Sequence, residues 1–261
     1  MDNLKRELSD LFEITDLGEP SKLVGIEITR DRSNGTLTIS QTKYIESILE
    51  KERMEDANPV STPLDPNLKL KPLEPLNDAL AINGSYTSLT GSLMYAAIGT
   101  RPDIAYAVNE LCSFNNNPGL AHWSAAKRVL RYLKGTKHLG LTYKKGGPHS
   151  NRMYGYADVS FASNTDMTSI NGSAFILNGA AIIWNSKKQR LVALSTAEAE
   201  YTSMADLARD IVWLCNLYNE IGYGQIGPTK LSGDKTSNTI NGPNTSTLKT
   251  IICSNKYRPD R

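Results

Sequence analysis

The chain has 261 residues, 39% of them hydrophobic and 21% charged, with a formal net charge of +2. This length suits one large domain or two small ones, and this apolar content excludes wholesale disorder. A charged N-terminus (MDNLKRELSD) and apolar runs far shorter than a bilayer exclude a secretory leader and a membrane span, so the expected setting is intracellular. Cys112, Cys215 and Cys253 are too scattered for a disulfide framework or a zinc knuckle and read as buried or unpaired thiols.

Residues 1–54 read as a compact α/β piece. Leu4, Leu8, Leu11 and Phe12 have helical spacing, and Leu17-Gly18-Glu19-Pro20 is a break. Lys22–Arg30 alternates like a strand, Asp31–Gly35 is a turn and Thr36–Ser40 is a second strand, which predicts a hairpin. Gln41–Lys51 follows as a helix with Tyr44, Ile45, Ile48 and Leu49 inward. Residues 55–84 hold Pro59, Pro63, Pro66, Pro72 and Pro75, a density that neither a helix nor a central strand tolerates, so an extended connector is expected.

Residues 85–136 read as helical. Leu89, Leu93, Met94 and Ala97 stripe a first helix, Arg101-Pro102-Asp103 opens a second, and Asn117-Pro118 gives a cap-plus-first-position signal for a third. In the third, Trp123, Ala126, Val129, Leu130 and Leu133 form the apolar stripe, while Lys127, Arg128, Arg131 and Lys134 take the rest. No acid occurs between Glu110 and Asp158, and a basic segment of this kind suits a phosphate backbone or, equally, a solvated helix face.

Residues 137–261 alternate strand patterns (Leu139–Tyr143, Met153–Ala157, Ser173–Leu177, Ala180–Trp184) with the basic run Lys187-Lys188-Gln189-Arg190 and the apolar run Leu191–Leu194. A long helix and a short strand, Thr229–Ser232, follow, and the order suggests a mixed sheet with a helix packed on it. Asp158 ends a buried strand, where an acid is either a turn former or a ligand. Ser195-Thr196-Ala197-Glu198 has capping-box spacing, which gives Glu198 a structural task. Glu200 begins a stripe that otherwise faces the sheet, where an unpaired charge is costly, so it is the stronger ligand candidate. Asp234 follows Ser232 and Gly233 as a second strand-end acid. Two strand-end acids and a helix acid suit a divalent-metal phosphoryl site.

Certain stretches carry a specific likeness: FEITDLG (Phe12–Gly18), LVGIEI (Leu23–Ile28), SQTKYI (Ser40–Ile45), GSLMY (Gly91–Tyr95), TRPDIAYAV (Thr100–Val108), HWSAAKRVLRYLKGT (His122–Thr136), GYAD (Gly155–Asp158), IWNSKKQ (Ile183–Gln189) and VALSTAEAEY (Val192–Tyr201). In these the chain resembles the C-terminal part of a copia-type retrotransposon Pol polyprotein. The resemblance implies an α/β chain: the palm end of a reverse transcriptase over 1–54, a thumb and connection region over 55–150, and an RNase H-like mixed sheet with packed helices over 151–261. It implies Asp158, Glu200 and Asp234 as ligands of two Mg²⁺ (or Mn²⁺) ions that hydrolyse the RNA strand of an RNA–DNA hybrid. Lys127, Arg128, Arg131, Lys134, Lys187 and Lys188 are the expected nucleic-acid contacts, and the remaining reverse transcriptase chain is a second expected partner. The implied location is cytoplasmic, in the virus-like particle of an intact element, with the nucleus as alternative.

The departures are specific. Asp158 is followed by Val159-Ser160-Phe161, Gly172 by Ser173 where the family has tyrosine, and Asp234 by Lys235. Lys249-Thr250-Ile251-Ile252-Cys253 lacks a histidine and a fourth acid, and no Tyr-x-Asp-Asp run occurs, so polymerisation is not expected. A catalytically inactive remnant that binds nucleic acid is therefore the alternative to an active RNase H.

Overall fold

A computed structural model describes residues 2–72, 83–146, 150–162, 167–224 and 229–232. The described residues form a mixed α/β molecule of two four-stranded sheets and six α-helices.

The amphipathic helix α1 (Asp2–Leu11) forms as its spacing predicts, but Leu8, Leu11 and the segment after them stay exposed, with Leu11 at 75% and Leu17 at 90%. The expected strand over Lys22–Arg30 is divided. Val24 and Gly25 adopt φ of 48° and 78°, a left-handed bend no strand can carry, so β1 (Lys22–Leu23) folds back on β2 (Ile26–Asp31). At the next turn Asp31 Oδ1 accepts the amides of Ser33 (2.9 Å) and Asn34 (3.0 Å), and β3 (Thr36–Ser40) pairs antiparallel with β2. The first sheet is completed from far along the chain: β4 (Gly140–Lys144) runs antiparallel to β3, with Thr38 opposite Thr142. Leu139–Tyr143, grouped by sequence order with the later strands, thus belongs with the earlier ones.

Helices α2 (Thr42–Lys51), α3 (Asn83–Gly99), α4 (Ala105–Cys112, entered through a 3₁₀ turn at Pro102–Ile104) and α5 (Leu120–Gly135) enclose the first core. Ile45, Tyr86, Leu89, Leu93, Val108, Leu111, Val129, Leu130 and Leu133 are its fully or almost fully buried members. Helix α5 starts two residues later than Asn117-Pro118 indicates. Its N-cap is Gly119, whose amide donates to His122 Nδ1 at 2.9 Å, so an imidazole one turn in does the capping. Trp123 is half-buried against the core, and Lys127 sits over its ring at 5.3 Å.

The second sheet has the order β7-β6-β5-β8. Strands β5 (Tyr154–Ser160), β6 (Ile170–Leu177) and β7 (Ala180–Lys188) form an antiparallel meander, and β8 (Lys230–Ser232) joins β5 in parallel. Between β7 and β8 runs α6 (Thr196–Glu220), which packs Leu207, Ile211 and Leu214 on Ala157, Phe175 and Leu231. Gly155 sits at the tightest point: a Cβ there would lie 2.9 Å from both Leu231 and Phe175. Several boundaries differ from those expected, and β6 begins at Ile170 rather than Ser173. Strand β5 continues past Ala157 to Ser160, and β7 carries Lys187 and Lys188 within its span, because the antiparallel ladder to β6 continues to Ile170 opposite Lys188. Leu191–Leu194 is no strand, and Leu191 and Leu194 are exposed. Cys112 is a free thiol, and Cys215, expected to be a buried or unpaired thiol, is buried but disulfide-bonded.

The second sheet meets the first sheet and α3 along a hydrogen-bonded seam. Trp184 Nε1 donates to Ala97 O of α3 (2.8 Å), the Tyr143 hydroxyl to Ala181 O (2.7 Å) and the Lys144 amide to Asn178 O (2.9 Å).

Candidate carboxylate site

Antiparallel pairing fixes which ends of the second sheet coincide. Ser160 pairs with Ile170 and Ile170 with Lys188, so the carboxyl ends of β5 and β7 lie together. Strand β8, parallel to β5, runs toward the same end. Helix α6 starts seven residues after β7, so its first turns begin there too.

A buried side chain ties the helix start to the strands. Gln189 Nε2 donates to Ala199 O (2.9 Å) and to Asn171 Oδ1 (2.5 Å), and the Gln189 amide donates to Ser169 O (2.8 Å). Ala199 precedes Glu200, and Asn171 stands opposite Val159, the neighbour of Asp158. Asn171 Nδ2 also reaches Asp206 Oδ2 at 3.4 Å, about two turns further along α6.

Asp158 lies within β5, opposite Gly172, rather than at the strand's end. It is exposed, and its Oδ1 accepts the amide of Val159 at 2.9 Å. Its strand parity is that of Tyr156 and Ser160, alternating with the buried Ala157 against which α6 packs. Glu200 is half-buried beside fully buried Ala199. Glu198 is the capping residue: Ser195 Oγ accepts its amide (3.2 Å), and its Oε2 accepts the amide of Leu194 (2.7 Å), one residue before the expected Ser195. Asp234 and Lys235 lie outside the described residues. In sequence Asp234 follows Ser232 by two positions, and Ser232 stands opposite Tyr156, itself two before Asp158.

The basic helix is less open than a charged stripe suggests. Arg128 Nη2 donates to Thr62 Oγ1 (3.0 Å), and Arg131 Nε donates to Asn58 O (2.6 Å). Both arginines thereby hold the proline-rich connector against α5. Lys127 and Lys134 are half-exposed on the same helix, and Lys187 and Lys188 are exposed at the end of β7.

Residues 1–66 match the family model for reverse transcriptase (RNA-dependent DNA polymerase). The chain is 41% identical over 227 residues to the retrovirus-related Pol polyprotein from transposon TNT 1-94 of Nicotiana tabacum, covering 85% of this chain and 17% of the relative. It is 39% identical over 221 residues to the corresponding polyprotein from transposon RE1 of Arabidopsis thaliana, covering 84% and 15%. The chain belongs to the copia-type retrotransposon Pol family. It spans about a sixth of the length of these polyproteins. An uncharacterized mitochondrial protein of Arabidopsis thaliana is 36% identical over 79% of this chain and 83% of its own length. No solved structure matches the chain.

In this copia-type chain the described ligand candidates are carboxylates, hard oxygen donors that suit Mg²⁺ or Mn²⁺ in kind. Among the described residues no group of three or more acids, histidines or cysteines is close enough to hold a metal. The sequence signalled Gln189 only as part of the basic run Lys187–Arg190 and of the IWNSKKQ stretch. Its latch role depends on Asn171 and Ala199, 18 and 10 residues away, which no local pattern connects. Likewise nothing in the α5 stripe announced that Arg128 and Arg131 serve the connector.

Proposed function

We propose that the second sheet and α6 form an RNase H-like unit that hydrolyses the RNA strand of RNA–DNA hybrids, with Asp158, Glu200 and Asp234 as its metal ligands. The observation that carries this reading is topological. Three antiparallel strands, a crossover helix and a fourth strand parallel to the first give the order β7-β6-β5-β8, and the chain positions leading to all three acids converge on one sheet end. Asp158, Glu200 and Asp234 would hold two Mg²⁺ or Mn²⁺ ions, which would supply activation of a water and stabilisation of the leaving oxygen of a phosphodiester. The protein's part is to orient the acids. The Gln189 latch fixes the turn carrying Glu200, and the ladder to β6 fixes Asp158. Discrimination of RNA from DNA rests on the 2′-hydroxyl. Lys127, Lys134, Lys187 and Lys188 supply phosphate contacts, and the remainder of a Pol polyprotein is the natural partner.

The test is cleavage of an end-labelled RNA–DNA hybrid in Mg²⁺ and, separately, Mn²⁺. Asp158→Asn and Glu200→Gln should each reduce the rate on the order of 10²-fold or more, since the ions contribute several kcal/mol. Glu198→Gln should retain most of it. Wild-type protein that cleaves no faster than Asp158→Asn would overturn the reading.

A second reading is a nucleic-acid-binding remnant without catalysis. The parity of Asp158 favours it, because Asp158 shares the strand face of Tyr156 rather than the face covered by α6.

A further inference from the structure

The face of the second sheet turned toward α4, which also carries Asp158, has a shape that metal binding by that carboxylate does not account for. Its register sets two successive rows, Tyr156–Ala174–Trp184 and Asp158–Gly172–Ser186, with Ile170 and Lys188 in the next. In both rows the central residue is small, so the middle of the sheet is a trough between larger side chains. A Cβ added to Gly172 would meet only the Asp158 carbonyl oxygen, at 3.9 Å, so the floor is open. Pro102, Ala105 and Tyr106 form the opposite wall, and the cleft encloses about 420 Å³. That volume falls in the range of small-ligand sites. Tyr106 and Tyr156 are 50% and 52% exposed on facing walls. The Trp184 indole is fixed by its bond to Ala97.

We infer that this trough receives one unpaired nucleobase of a bound strand, stacked against Tyr156 and Tyr106. A cleft with a small-residue floor and aromatic walls suits a flat π-system, and base–aromatic stacking is tolerant of sequence. Asp158, Ser160, Asn185 and Ser186 supply polar parts of the lining. Lys188 continues this face of β7 beyond the trough and gives the strand's phosphate cationic company, while Asp158 and Glu110 are acids facing that end. The cleft thus reads a base, whereas the backbone contacts named above read charge.

The experiment is fluorescence anisotropy in EDTA, comparing a labelled oligothymidine 12-mer with an abasic 12-mer of equal charge. Wild-type protein should prefer the base-containing strand. Tyr156→Ala and Tyr106→Ala should each reduce that preference roughly five- to a hundredfold and leave abasic binding unchanged. Tyr156→Phe should keep it. Gly172→Val, which fills the floor without removing a ring, should abolish it, and this variant decides the matter if an alanine variant does not fold. Equal wild-type affinity for the two strands, or full preference in Gly172→Val, would overturn the inference. With metal withheld, the result is independent of whether the hybrid is hydrolysed.

Discussion

Arg101 is 1% exposed, a position where a cation survives only if every donor is used. Its Nε and Nη2 grip Asp103 at 2.9 and 2.7 Å, while Nη1 and Nη2 bind the carbonyl and hydroxyl of Thr136 at 3.0 and 2.6 Å. The Tyr132 hydroxyl adds a bond to Asp103 at 2.8 Å. Burial works against ionising Asp103, but Arg101 and Tyr132 outweigh it and hold its carboxyl below the ordinary aspartate range. A depressed carboxyl contributes stability above its unfolded pKa of about 3.9 and loses it as pH falls through the folded value. Asp103→Asn should therefore cost about 3 kcal/mol at pH 7, the low end for a broken buried pair because Asp103 is 32% exposed. The loss is read as a lowered urea midpoint, and the gap to wild type should narrow below pH 4. The sequence showed Arg101-Pro102-Asp103 as a helix opening. It did not show Thr136, 35 positions on, because hydrogen-bond partners across a fold leave no local pattern.

At the scale of elements, periodicity was legible where an element has one buried face. The stripes of α2, α3 and α5 lie where spacing puts them, and β3 occupies the expected Thr36–Ser40. Ends were less legible, because partners set them. The ladder to β6 stretches β5 and β7, and the His122 imidazole moves the start of α5. Of the candidate site, Glu200's place above the strand ends follows from the helix pattern, whereas Asp158's parity appears only once register is known. Gln189 is the element-scale test of how firmly α6 is seated. Gln189→Ala leaves the Ala199 carbonyl and the Asn171 amide oxygen without their buried donor and should cost about 1–3 kcal/mol. Hydrogen exchange should show the loss concentrated in the first turns of α6, with amides from Leu207 onward less affected. Uniform loosening along the helix would count against a local latch.

For the whole molecule, the question is how strongly two cores are coupled. One core is enclosed by α2 to α5 and the other lies between α6 and the second sheet, and the seam joins them through Trp184, Tyr143 and Lys144. Removing the Trp184 and Tyr143 donors together, as Trp184→Phe with Tyr143→Phe, should cost about 2 kcal/mol at roughly 1 kcal/mol per hydrogen bond. It should also separate unfolding midpoints followed by far-UV circular dichroism and by hydrogen exchange in α5 and α6. In the wild type these midpoints should coincide. Coincident midpoints in the double variant would place the coupling in packing rather than in these bonds.

The pairing of β3 with β4 has a consequence for how the chain is made. Ser40 leaves the ribosome about a hundred residues before Gly140, its ladder partner. At about 5–20 residues per second, β3 waits on the order of 5–20 s with its outer amides and carbonyls unpaired. Through that interval the nascent chain presents an open strand edge of the kind that templates pairing with other chains. A ribosome that pauses between codons 41 and 139 lengthens the exposure, so codon usage in that window sets how much nascent chain a chaperone has to shield.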